Sequence, residues 1–96
     1  MNMNIIEVII VKAKSETVLA RADVHFEGFL LKGFKVLKDP KTNKEFVTPP
    51  SYHSFSGWRQ LFKTDKPEDW QEISRRILEA FNHQQIKESL EETDTI

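Results

Sequence analysis

The residues Val18-Leu19-Ala20-Arg21-Ala22-Asp23-Val24-His25-Phe26-Glu27 alternate in character almost without fault. On a pleated backbone Val18, Ala20, Ala22, Val24 and Phe26 fall on one side, and Leu19, Arg21, Asp23, His25 and Glu27 on the other. Only Leu19 breaks the polar side. A strand with one apolar and one polar face belongs in a sheet that is covered on one side, so this stretch points to a sheet with another layer packed against it.

The neighbouring residues extend the same sheet. Gly28 supplies a tight turn, and Phe29 to Lys38 returns as a strand, closed by the turn formers Asp39-Pro40-Lys41-Thr42-Asn43-Lys44. Phe46 and Val47 make a further short strand, ended by Pro49 and Pro50, which cannot donate to a ladder. On the N-terminal side, residues 4–14 are rich in Ile and Val and read as the first strand, with Ser15 and Glu16 in the turn after it. Strict alternation puts Ile5, Ile9 and Val11 on one face and Ile6, Val8 and Ile10 on the other, which predicts a central strand covered on both sides.

Residues 51–64 show no sustained period and read as an ordered loop, because Tyr52, Phe55, Trp58 and Phe62 are more aromatic content than a disordered linker carries. A helix follows over about residues 66–83, with Asp65 as N-cap, Pro67 in the first turn and Glu68 three positions after the cap. Trp70, Ile73, Ile77, Ala80 and Phe81 recur at helical spacing and should pack on the sheet, leaving Glu72, Arg75, Arg76 and Glu79 in water. Residues 84–96 set Lys87 against four acids, Glu88, Glu91, Glu92 and Asp94, and read as an acidic, frayed or disordered tail. The expected fold class is α+β: an antiparallel sheet of four or five strands with one C-terminal amphipathic helix, all in a single domain over residues 1–83.

Length and composition agree with that scale. A chain of 96 residues supports one hydrophobic core and buries about 60–65% of its unfolded surface, so stabilisation by a second copy is expected. The doubly apolar first strand adds a reason for a homodimer. Zero cysteines exclude a disulfide framework and thiol chemistry, and the apolar run Ile5 to Val11 is short and broken by Glu7, so a cytoplasmic protein without membrane contact is expected. Lys and Arg number 14 against 15 Asp and Glu, which gives no overall positive field for nucleic acid.

Chemistry-bearing patterns are poor. His25, His53 and His83 lie on three different elements without metal-ligand spacing, and no glycine-framed serine stands near His53. Gly28, Gly33 and Gly57 are too far apart to cradle a phosphate, and the acids at the helix start answer to the helix dipole. An enzyme is not expected, and no cofactor or metal is implied. What remains is a mixture of Arg59, Lys63, Lys66, Arg75 and Arg76 with Tyr52, His53, Phe55, Trp58 and Phe62. Such a mixture suits phosphate contacts and base stacking. It suits also an account in which Trp58 and Phe62 anchor a long loop in the core and the bases form a solvated face beside Asp65, Glu68 and Asp69. The residues alone favour the second account.

Three segments carry a family resemblance: Ala22-Asp23-Val24-His25-Phe26, Phe29-Leu30-Leu31-Lys32-Gly33-Phe34-Lys35-Val36-Leu37, and Phe46-Val47-Thr48-Pro49-Pro50-Ser51. With Trp70-Gln71-Glu72-Ile73 and Arg76-Ile77-Leu78 in the helix, the chain over about residues 4–83 resembles the stage V sporulation protein G (SpoVG) family of small bacterial regulators. The resemblance implies a compact sheet plus helix, a homodimer, and site-specific binding to DNA or RNA in gene regulation, septation and sporulation. It places the binding surface after the Pro-Ser step and at the start of the helix, here Tyr52 to Arg76, with Tyr52, His53, Arg59, Lys63, Lys66, Arg75 and Arg76 as the contact residues. Where the family continues after Pro-Ser with a basic pair, this chain has Tyr52 and His53. The alternative of a different class is a protein-interaction module of the same fold, docking another protein through its aromatic loop.

Overall fold

The computed structural model describes residues 4–13 and 15–94, with side chains described up to residue 85. Four strands, β1 (Ile5–Lys12), β2 (Val18–Phe26), β3 (Phe29–Lys38) and β4 (Glu45–Thr48), form one antiparallel meander in the order β1-β2-β3-β4. A separate hairpin follows, β5 (Ser51–Ser54) with β6 (Gly57–Gln60), and then one helix, α1 (Pro67–Asp94). The chain is thus α+β, with one helix on one face of the sheet.

The alternation of β2 decides which face. Ala20, Ala22, Val24 and Phe26 are buried, and they meet Phe34 and Val36 of β3, Val47 of β4 and the helix residues Ile73, Ile77 and Phe81 in one core. The small alanines in the middle of the sheet leave room for the large apolar side chains of α1 to seat close to the backbone. Aromatic contacts tie the helix start to the sheet: the Phe34 ring lies 6.2 Å from Trp70, stacked, and 5.6 Å from Phe62, edge on.

Five expectations change. β1 is an edge strand, paired among the described residues to β2 alone, so it lies neither in the centre of the sheet nor under cover on both sides. A bulge between Ile5 and Glu7 adds one residue to β1 and reverses the parity after it. Ile5, paired with Phe26, therefore shares the covered face with Val8 and Ile10, while Ile9 and Val11 stand exposed on the other. The segment read as a loop holds the β5–β6 hairpin. The helix begins at Pro67, where a missing N–H costs nothing, so Lys66 is the residue before its first turn and Asp65 makes no side-chain hydrogen bond among the described residues. It also continues to Asp94 through Gln84, Gln85, Lys87, Glu88 and Leu90, good helix formers with no Gly or Pro to stop them.

The turn between β3 and β4 follows its sequence. Asp39 accepts from the Asn43 N–H at 2.8 Å, donates its own N–H to the Lys44 carbonyl at 2.9 Å, and takes the Lys41 N–H on its carboxylate at 2.9 Å. No described helix is long and apolar enough to cross a membrane.

Candidate nucleic-acid interface

The hairpin is held at its base and free at its tip. Pro50 is buried against β3, where a Cβ built on Gly33 would stand 3.4 Å from the Pro50 Cβ, and the Leu61 N–H donates to the Pro50 carbonyl at 2.7 Å. These two contacts fix where β5 leaves the sheet and where β6 returns. At the far end Phe55 and Ser56 form a two-residue connection, with Gly57 at φ +109° after it. The Ser54 hydroxyl donates to the Gly57 carbonyl at 2.8 Å, and Arg59 Nη2 donates to the Ser56 hydroxyl at 2.8 Å, so the turn and its nearest cation are bonded together.

Register divides the hairpin side chains between two faces. Tyr52 stands opposite Arg59, and His53 opposite Trp58, with their rings edge to face at 5.4 Å. Trp58 is 67% exposed and Phe55 fully so, while Tyr52 is 45% exposed. Trp58 is therefore no core anchor; Phe62, which packs on Phe26 and Phe34, is. The Trp58 ring leans back to the sheet, where Lys35 Nζ lies 5.4 Å from its centroid.

No protein-family model matches the chain, and no curated protein matches it at the similarity searched.

The seven candidate residues do not share one surface. Tyr52, His53 and Arg59 lie together on the hairpin. Lys63 lines a cleft of about 350 Å³ beside Val47, Pro49 and Trp70, at the β4 side of the sheet, and Lys66 is exposed at the helix start. Arg76 lines a cleft of about 620 Å³ with Ile6, Glu7 and Val8 of β1, at the opposite edge. Arg75 is held by two carboxylates of its own helix: it meets Glu72 through Nε at 3.1 Å and Nη2 at 2.6 Å, and Glu79 through Nη1. A convergence of five cations on one face is not found. Helical spacing turns Arg75 toward Glu72 and Glu79, one turn to either side of it, and Arg76 toward β1.

That bidentate pair has a measurable signature. The Arg75 guanidinium holds the Glu72 carboxyl below its ordinary value of 4.5, chiefly by hydrogen bonding, and Glu72 raises Arg75 in return. Because the Glu72 value is lowered in the folded chain, its contribution to stability is present above the unfolded value and fades as pH falls through the folded one. Carboxyl NMR titration should give Glu72 a midpoint below 4.5 that returns to the ordinary range in Arg75→Ala. An unshifted midpoint in the parent would mean that the pair does not persist in solution.

A second cluster escaped the sequence. On the sheet face away from α1, Arg21 of β2 stands directly opposite Lys35 of β3, with Val11 beyond one and Thr48 beyond the other. The two cations are 14 residues apart in sequence, and only the strand register makes them neighbours. Among the described residues no group of three or more His, Cys, Asp or Glu is placed to hold a metal.

Proposed function

We propose that this chain is a small cytoplasmic regulatory protein of the SpoVG type, a homodimer that binds DNA or RNA with the β5–β6 hairpin as its recognition element. The observation that carries this reading is the hairpin: an arm anchored at Pro50 that presents exposed Tyr52 and Trp58 and an Arg59 bonded to the turn. Aromatic faces stack on unpaired bases and a fixed guanidinium meets phosphate, so the arm holds both chemistries that nucleic-acid binding needs. Exposed Ile6, Ile9 and Val11 on edge strand β1 support pairing with a second copy there, which buries apolar surface and satisfies an open ladder edge. Sedimentation equilibrium should then report about twice 11.3 kDa, and a monomer at high micromolar concentration would contradict the dimer.

Binding is tested by the salt dependence of oligonucleotide affinity. Arg59→Ala should weaken binding and lower the salt slope by about one, the loss of one phosphate contact. Arg75→Ala should leave the slope as it is, because Glu72 and Glu79 already hold that charge. Binding that is absent at tens of micromolar, or indifferent to salt, overturns the reading.

Phe55 favours a second reading, a protein-interaction module. A fully exposed phenylalanine at the tip of an arm is the kind of apolar anchor that protein interfaces use. That reading predicts that Phe55→Ala leaves the fold intact and abolishes binding to a protein partner, with oligonucleotide affinity absent throughout.

A further inference from the structure

The outer face of the sheet, away from α1, carries a feature that folding alone does not favour. Arg21 and Lys35 are directly opposed across β2 and β3, an arrangement in which like charges repel. Neither has a carboxylate partner among the described residues. The acids on the same face are Glu7, opposite His25, and Asp23, opposite Ile9, both in other rows of the sheet, and neither forms an ion pair with them. Beside Lys35 hangs Trp58, one face turned to the ammonium at 5.4 Å and its ring plane perpendicular to that of His53, with two thirds of the residue still open to solvent.

We infer that the Arg21–Lys35 row and Trp58 together form a subsite for one nucleotide of a single-stranded nucleic acid, the phosphate between the two cations and the base against the exposed part of the indole. The inference rests on the nucleic-acid reading above and extends it from the hairpin to the adjoining face of the sheet. Phosphate supplies the negative charge that this pair lacks and turns a repulsion into two charge-assisted contacts. Lys35, already over the indole, places that charge next to the stacking surface. A single strand is the form that fits, because a base can lie on Trp58 only when it has left its own stack, and within a duplex both faces of every base but those of the end pairs are covered.

The test is fluorescence anisotropy with labelled mixed-sequence oligonucleotides of about 15 nucleotides, as single-stranded DNA, single-stranded RNA and duplex DNA, in about 50 and about 200 mM salt. The single strands should bind at least about tenfold more tightly than the duplex, and Trp58→Ala should cost about tenfold in single-strand affinity. Lys35→Ala and Arg21→Ala should each weaken it and lower the salt slope by about one. Circular dichroism and Tm of each variant establish that the fold is intact, and Lys35→Arg, which keeps the charge, should restore binding. If the duplex binds as well as the single strands and the variants at Arg21, Lys35 and Trp58 match the parent while Arg59→Ala does not, this subsite is overturned and the broader reading stands. If no oligonucleotide binds, both fall together.

Discussion

Phe34→Ala should cost about 3–5 kcal/mol of folding stability, a large part of what a domain of this size possesses. Phe34 is fully buried at the middle of β3 and is the ring on which the later chain converges, with Trp70 from the helix start on one side and Phe62 from the preceding segment on another. Truncation removes the apolar burial of the ring, both aromatic contacts, and the filler between the sheet and the first turn of α1. Collapse cannot repair the void, because Ala22 stands opposite Phe34 and has no side chain to move into it. Tm should drop by about 12 °C or more for a chain of this length. Urea titration measures the change directly, and a loss below about 1 kcal/mol would mean that the ring is not the keystone described.

Gly33→Val should cost about 2–3 kcal/mol and, in addition, displace the hairpin. The position has φ +103°, a conformation that β-branched residues avoid, and it lies in a bulge where the register between β2 and β3 shifts. Pro50 packs against it as well: a Cβ there would just touch the Pro50 Cβ at 3.4 Å, so the two branches of valine have to push Pro50 outward. Pro50 is the hinge point of β5, so the arm has to move outward and Trp58 has to leave Lys35. Gly57→Ala is the natural control. It carries the same backbone strain at φ +109° but meets no atom within 4 Å, so it should cost only about 1–2 kcal/mol. Denaturation compares the two costs, and the NMR signal of the Trp58 indole N–H, shifted in Gly33→Val and near its parent position in Gly57→Ala, reports the displacement. Equal effects at both glycines would remove the steric role of Pro50.

Both experiments bear on the proposed function because the β5–β6 hairpin inherits its position from the core. Phe34 and Gly33 are adjacent in β3: one side chain holds the helix layer, and the absence of the other admits the hairpin base. Loss of oligonucleotide affinity in Gly33→Val with the sheet still folded would separate placement of the arm from stability of the domain.

The sequence by itself determined what depends on a residue and its near neighbours. The alternation of residues 18–27 marked the buried face of β2 correctly, because side chains on a strand change sides at every step whatever the strand pairs with. The spacing of Ile73, Ile77 and Phe81 marked the buried stripe of α1 for the same reason at a period of 3.6. The turn at Asp39 to Lys44 was legible in residues that bond to their own backbone. Tertiary structure alone decided everything that depends on a partner across the sheet. The bulge after Ile5 reverses a parity that local pattern cannot reverse, the four-residue strands of the hairpin are too short to show a period, and Arg75 and Arg76 are consecutive in sequence yet serve different neighbours. Arg21 and Lys35 became a pair only through register, which is set by hydrogen bonds between segments distant along the chain and is written in no single one of them.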